Sequence, residues 1–472
     1  MKKAYFIGIA GAGMSAVAKL LKDKGWEVSG SDEGCYPPVS DYLDKQNISY
    51  KIGYTKNNLP ENLDLIVIGM NAKLRPDINE EVKFALESEV QTKTFPEVLA
   101  ELSQETENIV VVGSYAKSTC TAMLTHCLEN AGKDPSYFIG AIPVDESDTS
   151  KLGKENIFVM EGDEYPANRE ENKSKFLYLR PDNLLLTSAE HDHVNIFPTI
   201  EEYLKPFQEL MKKTPVDGLL IACLDNPNVD FLIKKSNSKV VTYGLEKDKK
   251  PIWLAENIKY GKISSFDILK NGEKIISLET SLLGKHNIQN ILGVTTLLLE
   301  KDLITSEQLK EGIESFRGIK RRLELKTKNS EVPVYEGFGS SYDKARAAIE
   351  ALKIHFPKKN LKIIFEPHTF SWRNREKIYW YDDVFEDCQK VFVFTPPTQG
   401  ADTHSQLSLG EIVNRIKESG VNTETISVND WKNKLEMSVT DKDIVLMLSS
   451  GSFEGTLDNI INFIETKFNE RI

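Results

Sequence analysis

The chain has few cysteines, and no two of them have the close spacing typical of metal or redox sites. Its five cysteines are scattered and form no CxxC pair. This pattern excludes a disulfide framework and a zinc site, and it indicates a reducing compartment. Basic residues are also fewer than acidic ones. The chain has 59 Lys and Arg and 71 Asp and Glu, which gives a formal net charge of −12. A general nucleic-acid or anionic-membrane binder is therefore not expected.

Long hydrophobic runs are missing as well. No apolar stretch approaches the length of a membrane-spanning helix, so we predict a cytoplasmic protein without a membrane partner. The N-terminus, with Lys2-Lys3 followed by Ala4 to Ala18, could pass for a signal peptide. It contains a glycine cluster, however, and continues into the charged stretch Lys19–Lys24. A strand, a glycine turn and an amphipathic helix explain this segment better.

The length and the alternation of predicted elements indicate a multidomain α/β protein. A chain of 472 residues is too long for one core and predicts about three domains. Strands alternate with helices over most of the length, which is typical of parallel sheets covered on both faces. Polar stretches at Ser103–Asn108 and Lys326–Val332 are the predicted linkers. Asn271-Gly272, between two short strands, predicts a type I′ hairpin turn.

The strongest chemical signal is the segment Gly113 to Thr119, which joins the apolar strand Ile109–Val112 to a predicted helix. Such a turn presents backbone N–H groups to phosphate, with Lys117 against the β- and γ-phosphates and Ser118 as a Mg²⁺ ligand. The segment departs from a Walker motif in being one residue short and in having Ala116 where glycine is usual. On local grounds alone, an ordinary strand–helix turn stays open as the alternative.

A second glycine-rich turn, Gly8 to Gly13, follows the first predicted strand. Asp32 ends the next strand, where its carboxylate could accept a hydrogen bond from a ribose or a base. The same pair would occur in a nicotinamide-dependent oxidoreductase. A purely structural tight turn is the third interpretation, so this region alone does not identify the ligand.

Acidic and imidazole groups follow two strands of the predicted central unit, in the segments Glu161–Glu164 and Glu190–His193. Because parallel strands end at one edge of a sheet, we expect these groups near the phosphate loop. There they would suit Mg²⁺, although runs of this kind are usually solvated loops. Arg321-Arg322, near the second linker, is either a surface pair or a clamp for a nucleotide phosphate.

Several motifs together resemble the Mur ligase family over essentially the whole chain. The shortened loop before Lys117-Ser118-Thr119 is one of them. The others are Gly8-x-x-Gly11-x-Gly13-Met14-Ser15, Gly284-Lys285-His286-Asn287-x-x-Asn290 and Phe316-x-Gly318-x-Lys320-Arg321-Arg322-x-Glu324. The resemblance implies an ATP-dependent, Mg²⁺-requiring amide ligase. In such an enzyme the carboxylate of UDP-N-acetylmuramate attacks the γ-phosphate of ATP, and an amine then displaces phosphate from the acyl phosphate.

The resemblance also implies an architecture and a set of site residues. A Rossmann-like domain for the UDP-sugar is expected at residues 1–105, a P-loop ATPase-like domain at 106–325 and a Rossmann-like acceptor domain at 326–472. The implied catalytic residues are Lys117, Glu161 and His193. The implied metal ligands are Ser118, Glu161 and His193. The implied ATP contacts are Gly113, Ser114, Lys117, Ser118, Thr119, Asn287, Asn290 and Arg322. The implied UDP-sugar contacts are Gly11, Gly13, Met14, Ser15 and Asp32.

The acceptor is a finer question. Segments such as Ser174-Lys175-Phe176 look like the branch that adds the tripeptide L-alanyl-γ-D-glutamyl-meso-diaminopimelate, whereas Glu366 to Ser371 is nearer to the branch that adds L-alanine. We expect the tripeptide, with L-alanine as the alternative, and a monomer or homodimer. Glu336 to Tyr342 replaces an acid and two imidazoles usual in these branches, and Ser188 replaces a common asparagine. With Ala116, these departures motivate a further alternative, a catalytically impaired ligase-like binding protein.

Overall fold

The computed structural model describes residues 1–36, 39–71, 73–145, 148–168, 173–193, 196–397 and 405–469. Within these ranges the chain forms three sheets, of five, ten and six strands. It also divides into two compact units. The first unit comprises Met1–Ile258, Ser265–Thr280 and Ile288–Arg317. The second unit comprises Lys259–Ser264, Ser281–Asn287 and Gly318–Ile472. Helices and mainly parallel strands alternate over most of these ranges, so the predicted α/β class is confirmed.

The first sheet is parallel and has the strand order β3-β2-β1-β4-β5. Its strands are β1 Lys3–Ile7, β2 Glu27–Asp32, β3 Ser49–Ile52, β4 Leu65–Ile68 and β5 Gln91–Lys93. Its helices are α1 Ala12–Asp23, α2 Val39–Lys45, α3 Glu80–Glu87 and α4 Phe95–Leu102. The order reverses at β1, and ligands bind open α/β sheets at such switch points. The glycine turn after β1 therefore lies at the switch point of this sheet.

The second sheet also belongs to the first unit, apart from the tip of one hairpin, and has the order β15-β14-β13-β12-β11-β10-β6-β9-β7-β8. Its strands are β6 Glu107–Val112, β7 Ser136–Phe138, β8 Ser150–Lys151, β9 Ile157–Glu161, β10 Asn183–Leu186, β11 Leu219–Cys223, β12 Lys239–Gly244, β13 Trp253–Lys259, β14 Ser264–Lys270 and β15 Glu273–Thr280. The associated helices are α5 Lys117–Asn130, α6 Ile200–Lys213, α7 Val229–Ile233, α8 Lys285–Glu300 and α9 Ser306–Ser315. Because β6 lies parallel between β9 and β10, the residues that follow these three strands meet at one edge.

The third sheet forms the centre of the second unit, with the order β16-β17-β21-β18-β19-β20. Its strands are β16 Arg322–Leu325, β17 Val334–Gly337, β18 Asn360–Phe365, β19 Lys390–Phe394, β20 Thr423–Ile426 and β21 Asp443–Leu448. Its helices are α10 Tyr342–His355, α11 Phe370–Arg373, α12 Leu409–Glu418, α13 Trp431–Ser438 and α14 Leu457–Lys467. The pairing is parallel except between β16 and β17.

Of the two predicted linkers, the first overlaps the start of a strand and the second is a connection within one unit. Strand β6 starts at Glu107, so the polar segment Ser103–Asn108 runs two residues into the sheet. Asn108 is accommodated there because its side-chain amide donates to the carbonyls of Ser103 and Arg180, at 3.0 and 2.9 Å. Lys326–Val332 lies inside the second unit, between the antiparallel strands β16 and β17. A hairpin connection and an interdomain linker have the same polar composition, which is why the sequence pattern misled.

A continuous hydrophobic core joins the first two sheets. It includes Val17 and Leu20 of α1 as well as Val110 and Phe158 of the second sheet. The hydroxyl of Ser150 on β8 donates to the carbonyl of Ala16 at 2.7 Å, which ties α1 to the second sheet. The two sheets therefore present their site residues within one unit. Among the described residues, no helix is both long enough and apolar enough to span a bilayer.

Candidate active site

The phosphate loop occupies the turn between β6 and α5. Gly113 has φ +146°, and a Cβ there would collide with the hydroxyl of Thr187 and the backbone of Ser188. Ala116, the residue that departs from the usual glycine, has φ 66° and ψ −1° in the left-handed region. The helix α5 begins at Lys117, so its first backbone N–H groups face the turn. This is the geometry in which a helix N-terminus binds phosphate.

The ammonium of Lys117 is held by a carboxylate that sequence analysis did not single out. Its Nζ donates to Glu164 Oε2 at 2.8 Å and to the carbonyl of Gly113 at 2.7 Å. The Glu164 side chain is fully buried, and that of Lys117 is 13% exposed. Burial by itself would lower the pKa of Lys117, but the Glu164 carboxylate and its acidic neighbours raise it above the ordinary value. The lysine is therefore a positive charge fixed beside the loop.

The hydroxyl of Ser118 and the carboxylate of Glu161 form the oxygen pair of the site. Ser118 Oγ donates to Glu161 Oε1 at 2.9 Å, and the N–H of Gly140 donates to Glu161 Oε2 at 2.7 Å. Burial raises the pKa of Glu161, against the opposing charge of Lys117. Mg²⁺ prefers such hard oxygen ligands and needs only one or two carboxylates when phosphates complete its shell, so this donor pair fits Mg²⁺. In the described ranges, no group of three or more His, Cys, Asp and Glu side chains is arranged to hold a metal.

The structure pairs His193 with Glu164. The His193 Nε2 lies 3.5 Å from Glu164 Oε1, and the ring packs edge-on against Tyr165 at 5.1 Å between centroids. Burial opposes protonation, but the carboxylates of Glu164 and Asp192 raise the pKa of His193. Its φ of 53° is unusual for a residue other than glycine. Lys117, Ser118, Glu161 and His193 are thus brought together at one sheet edge, with Glu164 at the centre.

Two further predicted ATP contacts lie on the loop and in the first turn of α5. The hydroxyl of Ser114 donates to the carbonyl of Glu190 at 2.6 Å and pairs with the hydroxyl of Tyr203 at 2.8 Å. Because this hydroxyl is engaged within the protein, a phosphate contact by Ser114 would use its backbone N–H. Thr119 lies in the first turn of α5 and is half-buried.

Asp32 holds the first glycine turn in place, while Gly11 and Ala12 of the turn are exposed. Asp32 Oδ2 accepts from the N–H of Ala10 at 2.9 Å, and Oδ1 accepts from the hydroxyl of Tyr54 at 3.3 Å. Ser15 is buried on α1, with its hydroxyl donating to the carbonyl of Ala12 at 3.1 Å. Asp32 and Ser15 therefore stabilise the turn.

A cavity of about 500 Å³ extends between the glycine turn and the phosphate-loop edge within the first unit. Its lining includes four of the predicted UDP-sugar contacts, namely Gly11, Gly13, Met14 and Asp32. Glu161 of the second sheet also lines it, together with Asp163 and Lys175. Sequence analysis assigned no role to Lys175, although it lies in the quoted segment Ser174-Lys175-Phe176. The cavity connects the glycine turn with the acidic edge near Lys117.

The remaining predicted ATP contacts are distributed over both units. Asn287 belongs to the second unit and donates from Nδ2 to the carbonyl of Leu283 at 2.8 Å, whereas Asn290 belongs to the first. Both side chains are buried. Arg322 is exposed in the second unit, and its guanidinium lies 5.2 Å from the ring centroid of Phe338. Their nucleotide contacts remain predictions.

Family comparisons agree with this geometry. Residues 3–106 match the catalytic domain of the Mur ligase family, and residues 111–298 match the Mur ligase middle domain. The first match contains the glycine turn, and the second contains the phosphate loop with Glu161, Glu164 and His193.

Individual proteins are similar over most of the chain. A UDP-N-acetylmuramate–L-alanine ligase of Aquifex aeolicus is 32% identical over 83% of each chain. The crystal structure of a UDP-N-acetylmuramate–alanine ligase from Thermotoga maritima superposes with a TM-score of 0.80 at 22% identity, over 99% of this chain and 100% of that one. The crystal structure of a UDP-N-acetylmuramate:L-alanyl-γ-D-glutamyl-meso-diaminopimelate ligase from Neisseria meningitides superposes with a TM-score of 0.62 at 28% identity. This match covers 68% of this chain and 100% of that one. The chain therefore belongs to the Mur ligase family and is an ATP-dependent ligase.

Proposed function

We propose that this ligase joins L-alanine to the carboxylate of UDP-N-acetylmuramate, with conversion of ATP to ADP and phosphate. The observation that carries the proposal is the convergence of Lys117, Ser118 and Glu161 at one sheet edge, next to a cavity that begins at an anion-binding turn. Such an arrangement suits phosphoryl transfer to a carboxylate, which needs positioning and charge neutralisation more than covalent chemistry.

The phosphates of ATP would lie on the N-terminal turn of α5. The backbone N–H groups there and the ammonium of Lys117 supply positive charge to the β- and γ-phosphates. Ser118 and Glu161, with His193 nearby, would hold Mg²⁺, which would neutralise charge on the phosphate oxygens when bound. Asn287, Asn290 and Arg322 are proposed to contact the nucleotide from the segments that carry the family's adenine and junction motifs.

The UDP-sugar is proposed to occupy the 500 Å³ cavity. Its diphosphate would meet the N–H groups of the turn around Gly11 and Gly13, at the start of α1. Its carboxylate would then point to the edge formed by Ser118 and Glu161. The amine acceptor is proposed to bind the domain at residues 326–472.

The acceptor assignment follows the relatives more than the local motifs. The Aquifex aeolicus protein, at 32% identity, is named a UDP-N-acetylmuramate–L-alanine ligase. The protein in the Thermotoga maritima structure is named a UDP-N-acetylmuramate–alanine ligase. This favours L-alanine over the tripeptide that the sequence analysis preferred. The tripeptide stays a second candidate because the segment Ser174-Lys175-Phe176 resembles that branch, and a tripeptide ligase structure is 28% identical.

The test is an ADP-release assay with ATP, Mg²⁺ and UDP-N-acetylmuramate, run in parallel with L-alanine and with the tripeptide. We expect ADP release that requires the UDP-sugar and is faster with L-alanine. Lys117→Ala should abolish it, whereas Lys151→Ala, which removes a lysine paired with Glu129 and Asp134 away from the site, should not. Faster turnover with the tripeptide would reverse the assignment. Tight ATP binding without turnover on either acceptor would instead support the impaired binding protein.

A further inference from the structure

The cavity of the first unit has an unusual charge pattern for a site that takes an anion. Three carboxylates line it, those of Asp32, Glu161 and Asp163. Lys175 carries the one positive charge among the described residues of this lining. UDP-N-acetylmuramate has a negative diphosphate at one end and a negative carboxylate at the other. The glycine turn offers N–H groups to the diphosphate, but the carboxylate end needs another positive group.

Lys175 is fixed close to the acidic end of the cavity. Its Nζ donates to Asp163 Oδ2 at 2.6 Å, and Asp163 follows Glu161 by two residues. The backbone repeats this attachment, because the N–H of Lys175 donates to the carbonyl of Tyr165 at 2.9 Å and the N–H of Phe176 donates to that of Asp163 at 3.0 Å. These contacts anchor the ammonium in the part of the chain that lines the cavity together with Glu161.

The surroundings of the ammonium leave it able to take a second anion. Its side chain is 17% exposed, and Nζ lies 5.3 Å from the ring centroid of Tyr165 and 5.6 Å from that of Phe95. An ammonium has three N–H donors, of which Asp163 accepts one. Without Lys175, a carboxylate entering this end of the cavity would face the carboxylates of Glu161 and Asp163.

We propose that Lys175 binds the carboxylate of UDP-N-acetylmuramate and so selects this sugar acid over UDP-sugars without a carboxylate. The inference rests on the proposed function for the identity of the ligand. In this arrangement the ammonium bridges Asp163 and the substrate carboxylate, and it holds that carboxylate beside the edge where Ser118 and Glu161 meet. The glycine turn binds the diphosphate, which both kinds of UDP-sugar share.

Isothermal titration of the full chain without ATP tests the assignment, with UDP-N-acetylmuramate and UDP-N-acetylglucosamine as the two ligands. For Lys175→Met we expect affinity for the sugar acid to fall by about 10- to 100-fold, because a charge-assisted hydrogen bond is lost. Affinity for UDP-N-acetylglucosamine should change by less than about threefold. Lys175→Arg should retain part of the preference, and the matched control Lys151→Met should retain all of it. Lys175→Gln serves as a second neutral variant if the methionine variant does not fold.

A double variant separates contact from simple repulsion. In Lys175→Met the charge of Asp163 is uncompensated and could repel the substrate by itself. Lys175→Met with Asp163→Asn removes that charge, so the preference should stay lost if Lys175 binds the carboxylate. Recovery of the preference would overturn the inference. Equal losses for both ligands, which would assign Lys175 to the diphosphate or to the fold, would also overturn it, as would no loss. Failure of the unaltered protein to bind UDP-N-acetylmuramate would overturn the proposed function itself.

Discussion

Replacing Ala116 by glycine should stabilise the first unit slightly, which is opposite to the usual effect of this change. At φ 66° and ψ −1°, the Cβ of Ala116 crowds the backbone at a cost of about 1–2 kcal/mol. Glycine removes this cost but gains about 0.5–1 kcal/mol of chain entropy in the unfolded state. The net expectation is a stabilisation of about 0.5 kcal/mol. The missing methyl also lets a phosphate approach the loop, so KM for ATP should fall.

The matched control is Ala100→Gly on α4, a half-buried alanine in a regular helix of the same unit. There glycine should destabilise by about 1 kcal/mol. Urea unfolding followed by circular dichroism would compare the first-unit transitions of the two variants, and ADP-release kinetics would give KM. If Ala116→Gly destabilised the unit as much as Ala100→Gly does, the strain at Ala116 would be refuted. An increase in KM would refute the argument about phosphate approach.

Three other outcomes follow from buried polar groups. A double-mutant cycle of Glu164→Gln and Lys117→Met should give a coupling free energy of at least about 1 kcal/mol in urea unfolding, and a value near zero would contradict the buried pair. Burial lowers the pKa of His355, whose Nε2 accepts from the N–H of Gly284 at 2.8 Å. The unfolded chain therefore binds the proton at a higher pH than the folded one, so the free energy of unfolding should fall as the pH drops below about 6.5. In His355→Gln this free energy should fall less steeply with pH. Equal slopes in the two proteins would contradict the assignment to His355. Glu81 is fully buried and accepts four hydrogen bonds. Glu81→Ala should therefore destabilise the first unit by about 2–4 kcal/mol, and Glu81→Gln by less. Equal losses of stability in the two variants would be inconsistent with the role of the hydrogen bonds.

Elements whose causes are local could be predicted from the sequence. Asn271-Gly272 is an example, because both residues have positive φ, 52° and 84°, as a type I′ turn requires. The flanking strands β14 and β15 are longer than the segments Phe266–Leu269 and Ile275–Leu278 that the sequence predicts, since pairing with neighbours continues past the most apolar residues. The apolar strand before Gly113 and the helix after it were likewise predictable from hydrophobic pattern and turn chemistry.

Pairings across the sheet could not be predicted in the same way. Glu164 belonged to a recognised acidic segment, yet its role as the partner of Lys117 depends on β9 lying next to β6. Lys175 lines the cavity in contact with Asp163, and no spacing rule predicts that contact. Ser15 and Asp32 illustrate the converse, since motif positions that suggested ligand contacts also serve to hold the turn.

The discontinuous second unit has a consequence for synthesis on the ribosome. Each unit is built from three separate stretches of chain, and the first unit is complete in sequence once Arg317 has been made. Domains generally fold as units during translation, N-terminal ones first, so this unit can fold before the rest emerges. The stretches Lys259–Ser264 and Ser281–Asn287 are then synthesised before the rest of the second unit, Gly318–Ile472, with which they fold. A gene fragment that starts at residue 326 would therefore express a second unit that lacks both of these stretches and also Gly318–Leu325, which includes β16.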